Sequence, residues 1–233
     1  MSFITISQRL FTPLFWELVL SRTDAWFSEM ALLKTHLNNL EKGRSQADYN
    51  TGSINFSSAW SLYCLARHFK TQKVLEIGTF IGKSTISIAK AIEDELGAGE
   101  IYTCDVSNSI DLDYTGPVKI RQFKKTMSAD MIGQLCKEDK KVDLVFIDGR
   151  LSSEEIPNLV SLLKDNTIVA LDDFEGIEKG VFNFQLLRSI PPFDKYMMSY
   201  PPDISFMAKY GITSNNSTAC FIPRSLIQLT AQG

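Results

Sequence analysis

Apolar residues recur at three- and four-residue steps from Arg9 to about Glu41, at Leu10, Leu14, Leu18, Trp26, Met30, Leu33, Leu37 and Leu40, which is helical periodicity. A polar stretch from Gly43 to Gly52 follows. A further helix then carries Trp60, Tyr63, Cys64 and Leu65 or Ala66 on its apolar face and ends near Lys70–Lys73. From there the period changes. Short apolar runs at Lys73–Ile77, Ile101–Cys104, Val118–Phe123, Val142–Ile147 and Thr167–Leu171 read as strands, and Ser84–Leu96, Ser128–Lys137 and about Ser152–Leu163 read as helices between them. Val142–Ile147 is almost continuously apolar, as expected of a parallel strand buried on both faces. Strand–helix alternation of this kind predicts an α/β fold, a Rossmann-like doubly wound and mostly parallel sheet. Asp203–Tyr210 and Thr218–Pro223, joined by a polar turn, predict a C-terminal antiparallel hairpin. The expected organisation is one domain, with residues 1–72 a helical N-terminal cap and residues 73–233 the core.

Composition changes this picture little. The chain has 233 residues, 44% of them apolar, enough to bury a core without staples. Lysine and arginine number 24 against 27 aspartates and glutamates, with no block of one sign, which argues against nucleic acid and against a polybasic membrane contact. No apolar run reaches membrane-spanning length, and Arg9, Pro13 and Glu17 interrupt any secretory leader pattern, so a cytoplasmic location is expected. The cysteines at 64, 104, 136 and 220 form no CxxC pair and have no histidine cluster beside them, so neither a zinc site nor a disulfide framework is expected. Phe11, Phe15, Trp16 and Trp26 suit either a homo-oligomer interface or an internal cap.

The most informative segment is Glu76-Ile77-Gly78-Thr79-Phe80-Ile81-Gly82-Lys83-Ser84-Thr85. Three residues separate Gly78 from Gly82, one too few for a phosphate-binding P-loop, and Phe80 stands where a dinucleotide fingerprint needs glycine. Asp105 closes the next strand, placed to accept hydrogen bonds from two ribose hydroxyls. Asp148, Asp172 and Asp173 end two later strands, so four acids share the carboxyl edge of the sheet, where ligands of open α/β sheets bind. Clustered carboxylates repel unless something positive lies among them.

The glycine turn resembles motif I of the class I S-adenosylmethionine (SAM)-dependent methyltransferases, and the acidic strand ends resemble the metal site of catechol and antibiotic-sugar O-methyltransferases. The resemblance covers roughly Val74 to Ile222. It implies SAM held by Glu76, Gly78, Thr79, Phe80, Gly82, Ser84, Asp105, Asp148 and, at the adenine, Met127 and Ser128. Amides at Ser84 and Thr85 would face the cofactor's carboxylate, with Lys83 toward solvent. It also implies Mg2+ or another divalent cation on Asp148, Asp172 and Asp173, with Asp148 and Asp173 serving catalysis, although adjacent aspartates at a strand end also commonly cap the next helix. Ser128 equally suits a helix N-cap. The implied activity is methyl transfer to an oxygen of a small molecule with neighbouring oxygens. Phe174, Tyr200, Phe206 and Trp60 are candidates for an apolar wall around that acceptor.

The chain departs from those families at the base: Leu151 and Arg150 stand where they place a lysine or an acid. Arg150 could instead hold an anionic substrate group. A metal-independent N- or carboxyl-methyltransferase, and a catalytically idle cofactor-binding module, therefore remain as alternative readings.

Overall fold

The computed structural model describes residues 8–230 except 22, 50, 51, 108 and 109; positions 50 and 51 of the polar loop, and the first seven residues, lie outside the described residues. Periodic apolar spacing at the N-terminus builds two helices rather than one, α1 (Gln8–Val19) and α2 (Trp26–Glu41), followed by a 3-10 turn and α3 (Phe56–His68). Asn55 caps α3 by accepting from the Ser58 amide.

The α/β core runs β1 (Lys73–Ile77), α4 (Lys83–Leu96), β2 (Glu100–Asp105), β3 (Lys119–Lys124), α5 (Ser128–Lys137), β4 (Val142–Ile147), α6 (Ile156–Leu162), β5 (Leu163–Leu171) and α7 (Gly180–Arg188). It closes with β6 (Tyr196–Ser199), α8 (Ile204–Ala208), β7 (Ala219–Pro223) and α9 (Arg224–Thr230). The sheet order is β3-β2-β1-β4-β5-β7-β6, parallel from β3 through β5 and antiparallel at β5/β7 and β7/β6. The predicted mostly parallel sheet with a terminal antiparallel pair is thus present.

The pair's first strand is not the predicted one. Ile204–Ala208 within Asp203–Tyr210 is helical: Asp203 accepts from the Phe206 amide as an N-cap, the Phe206 ring lies 5.5 Å from that of Tyr210 one turn on, and Met207 is buried. Over so short an apolar run an alternating and a helical spacing look alike, and the cap decides. Tyr196–Ser199 pairs with β7 instead.

Alternation along the strands covers both faces. Val74, Leu144, Phe146, Ile168 and Ala170 join Trp16, Leu33, Leu37, Trp60 and Ile88 in one apolar cluster, so α1–α4 pack on that face. Leu75, Ile77, Val145, Ile147, Val169 and Leu171 face α5–α7 with Met131, Leu159 and Leu187. Phe11, Phe15, Trp16 and Trp26 are buried inside this chain, which is the internal-cap option. No described helix is long and apolar enough to cross a membrane.

Candidate functional site

The sheet order reverses at β1, whose neighbours β2 and β4 lead away in opposite directions, so a crevice opens beyond the carboxyl ends of these strands. Backbone pairing carries each strand to its acid: the Gly78 amide donates to Cys104 O, the Asp148 amide to Ile77 O, and the Asp172 amide to Ile147 O. Gly78 sits at φ +100°, and a Cβ there would lie 3.1 Å from the Asp148 carbonyl oxygen. Glycine is needed for the turn and for the close approach of the two strand ends alike.

A cavity of about 260 Å³ occupies the crevice, and Gly78, Phe80, Asp105, Met127, Ser128 and Asp148 all line it. Glu76, Thr79, Gly82 and Ser84 lie behind or beside this wall. Glu76 is fully buried, accepts from the Thr85 hydroxyl, and has its carboxyl pushed upward by that burial. Thr79 shares a 2.6 Å hydrogen bond with Thr103. Gly82, at φ +80°, is the turn into α4. These residues shape the turn from inside the sheet. Lys83 does not point freely to solvent: its ammonium pairs with Glu41 of α2. Ser128 opens α5 but makes no side-chain cap, the N-cap position being Met127.

Asp105 is held by hydrogen bonds from three residues. It accepts from the Phe80 amide at 2.8 Å and the Ser107 amide at 2.9 Å, and from the Tyr49 hydroxyl at 3.2 and 3.1 Å on its two oxygens. Tyr49 comes from the polar loop, its ring 5.4 Å from that of Phe80, and burial and then Asp105 push its phenol upward. It reaches Asp105 across 56 residues, and nothing local in the sequence marks it.

At the other end of the cavity, one oxygen from each of Asp148, Asp172 and Asp173 lies within 4.8 Å of the others. Asp172 is buried and accepts from Ser217 at 2.8 Å and Thr218 at 3.2 Å. Among the described residues neither Asp172 nor Asp173 caps a helix; α7 starts from Lys179 and Gly180. Lys179, also absent from the sequence-based candidates, places its ammonium 3.0 Å from Asp148 and 3.1 Å from Asp173. Burial pulls that ammonium's pKa down, but Asp148 and then Asp173 outweigh it, so the net shift is upward. Burial, then Asp172, raises the Asp148 carboxyl to about 7, and burial also raises Asp172.

Carboxylate oxygens are the right donors for magnesium. The arrangement nevertheless does not fit one as it stands, because the point bridging Asp148 and Asp173 is taken by the Lys179 ammonium.

The acceptor-wall candidates separate. Trp60 is fully buried, stacked on Tyr63 and edge-on to Trp26, and Phe206 packs against Tyr210. Only Phe174 and Tyr200 meet, their ring centres 5.8 Å apart, with Tyr200 well exposed. Arg150 lines the cavity but donates to the Glu178 carbonyl and lies over Phe182.

A pH effect follows from Asp148. Folded, it holds its proton up to about 7, against an ordinary value of 3.8. The folded chain therefore binds the extra proton between these values, and that stabilisation is complete at low pH and lost as pH rises through 7. Between pH 5 and 8 the melting temperature of the wild type is expected to fall relative to that of Asp148→Asn by about 5 °C or more. Parallel curves in differential scanning calorimetry would contradict this.

Residues 75–174 match the family model described as a methyltransferase domain. Over that stretch the chain is similar to a methyltransferase domain. None of the curated proteins compared matches it. Among solved structures, it is similar to an O-methyltransferase from Bacillus cereus in complex with SAH, at 14% identity and TM-score 0.53, covering 90% of this chain and 96% of that one. It is also similar to a putative O-methyltransferase from Klebsiella pneumoniae, at 16% identity and TM-score 0.54, covering 91% and 95%. TomG of Streptomyces achromogenes, an O-methyltransferase involved in tomaymycin synthesis and seen in complex with SAM, aligns at 15% identity and TM-score 0.51, covering 94% and 100%. At these identities the likeness is one of fold. The matched segment runs from within β1 to just past Asp173, and so contains the glycine turn and all four acids.

Proposed function

We propose that the protein transfers a methyl group from SAM to an oxygen of a small molecule carrying neighbouring oxygens. The observation that carries this reading is the cavity wall shared by Gly78, Asp105, Ser128 and Asp148, which runs from the end of β2 to the acidic strand end after β4. Gly78 leaves room for the methionine part of the cofactor, Asp105 takes the ribose hydroxyls in exchange for Tyr49, and Met127 covers the adenine beside Ser128. The structures in complex with SAM or SAH that share the fold support this placement.

The sulfonium is already activated, so the protein's work is alignment and charge. The methyl carbon leaves sulfur, which keeps the bonding electron pair, and bonds to the acceptor oxygen. The hydroxyl's proton passes to a carboxylate of the cluster, and Asp148 is the one that lines the cavity. Asp173 and Lys179 fix the position of that carboxylate, and Phe174 with Tyr200 offers the acceptor an apolar edge.

Incubation with radiolabelled SAM and a panel of catechols, vicinal diols and sugars is expected to label at least one catechol or diol and to yield SAH in equal amount. Labelling of amines or carboxylic acids alone would replace this reading with an N- or carboxyl-directed one. Cofactor binding without transfer to any class of acceptor would favour an idle binding module.

A further inference from the structure

We propose that Lys179 is the resident cation of the acidic strand ends: its ammonium takes the place of a divalent ion, holds the acceptor oxygen, and lets the reaction run without metal. The inference rests on the methyl-transfer reading above and deepens it.

Position is the first argument. The ammonium lies between Asp148 and Asp173, 3.0 and 3.1 Å from their oxygens. A divalent ion bridging the same two carboxylates would need oxygen contacts of about 2.0–2.6 Å, and so would occupy the same point. Two cations cannot share it.

The chain also builds Lys179 into that place. Gly180, the next residue, lies so close to the strand end that a Cβ would come 2.4 Å from the Asp172 carbonyl oxygen and 2.8 Å from that of Asp173. One turn on, Asn183 is fully buried, donates to the Gly149 carbonyl at 2.7 Å and accepts from the Leu151 amide at 3.0 Å. The first turn of α7 is thereby clamped to the loop after β4 and to the end of β5, which fixes the backbone from which the lysine reaches. The nearby Arg150 is engaged elsewhere, on the Glu178 carbonyl.

Access is the third argument. Lys179 lines the same cavity as Gly78 and Asp105, so its ammonium faces the space assigned to the cofactor and acceptor. A fixed ammonium there stabilises the negative charge that develops on the acceptor oxygen as its proton leaves, a task otherwise given to a metal.

The test pairs manganese binding with turnover in the full chain. Mn2+, which is visible by paramagnetic resonance and prefers the same oxygen donors as magnesium, is titrated into the wild type, Lys179→Arg and Lys179→Met. Wild type and Lys179→Arg are expected to show no saturable binding up to about 1 mM, whereas Lys179→Met, with the point vacated, binds at least ~10-fold more tightly. In excess chelator the wild type keeps its methyl transfer, and Lys179→Met loses about 100-fold. Micromolar Mn2+ binding to the wild type that Asp148→Asn abolishes, together with chelator-quenched turnover restored by metal, would overturn the proposal. The wild-type and Lys179→Arg titrations decide the matter even if Lys179→Met fails to fold. Calorimetric titration with SAM runs beside them: its failure would strike the methyltransferase reading and leave the manganese result standing.

Discussion

Asp105→Ala is expected to weaken SAM binding by about 100-fold in a calorimetric titration, and, because it strands the Phe80 and Ser107 amides, to lower the melting temperature by roughly 2–10 °C. The carboxylate accepts from two backbone amides, at Phe80 and Ser107, and from the Tyr49 hydroxyl, which bridges both of its oxygens. A vicinal ribose diol presents the same kind of donor, two hydroxyls at bonding distance from a carboxylate, so cofactor and Tyr49 compete for one acceptor. Hydrogen bonds to a charged group contribute about 1.5–3 kcal/mol each, and losing two of them to the ribose gives the stated factor or more. Against this, the Tyr49 bond that the wild type gives up on binding is a cost the alanine variant no longer carries. Tyr49→Phe isolates that cost: it keeps the ring against Phe80 and removes the hydroxyl, so it should bind SAM somewhat more tightly than the wild type. Equal affinity for wild type and Asp105→Ala would remove Asp105 from the cofactor site.

Much of this site was legible because strand ends are local signals. Glu76 to Ser84 announces a strand, a glycine turn and a helix within ten residues, and Asp105, Asp148 and Asp172 each directly follow or close an apolar run. Parallel strands must end at one edge, so the acids converge without any contact having to be guessed. Tyr49 and Lys179 were not legible for the opposite reason. Each reaches an acid far away along the chain, 56 residues for Tyr49 to Asp105 and 31 for Lys179 to Asp148, with whole strands and helices between, and neither stands in a periodic segment or a spaced motif. Trp60 shows the same limit from the other side, since a helical stripe tells which face is apolar but not whether core or ligand covers it; core covers it here. Carboxylates that crowd one edge nevertheless require a positive partner, without the sequence saying which. The sequence resemblance suggested a metal for that role, whereas the structure puts a lysine there.

Gly78→Ala is expected to lower the melting temperature by roughly 5–15 °C and to weaken SAM binding severely, whereas Gly133→Ala raises the melting temperature slightly. At φ +100° an alanine is strained, which costs about 1–3 kcal/mol. Its Cβ would also press the Asp148 backbone at 3.1 Å from the carbonyl oxygen and 3.2 Å from the carbonyl carbon, main-chain atoms just past β4 that cannot swing away like a side-chain tip, because the Asp148 amide of the same residue is tied to Ile77 O. Overpacking of this kind adds about 1–3 kcal/mol, and a chain of this length shifts by about 2–4 °C per kcal/mol. Relief can come only by parting the ends of β1 and β4, which moves Asp148 away from Lys179 and opens the crevice where the cofactor's methionine part should lie. Stability and binding are thus predicted to fall together. Gly133 supplies the contrast: it lies inside α5 with nothing within 4 Å of a built Cβ, so alanine there gains helix propensity worth about 0.5–1 kcal/mol and touches no part of the site. A Gly78→Ala protein that melts like the wild type and binds SAM normally would show that the turn's geometry does not set the cofactor pocket, and with it would fall the placement of the methionine end beside Asp148.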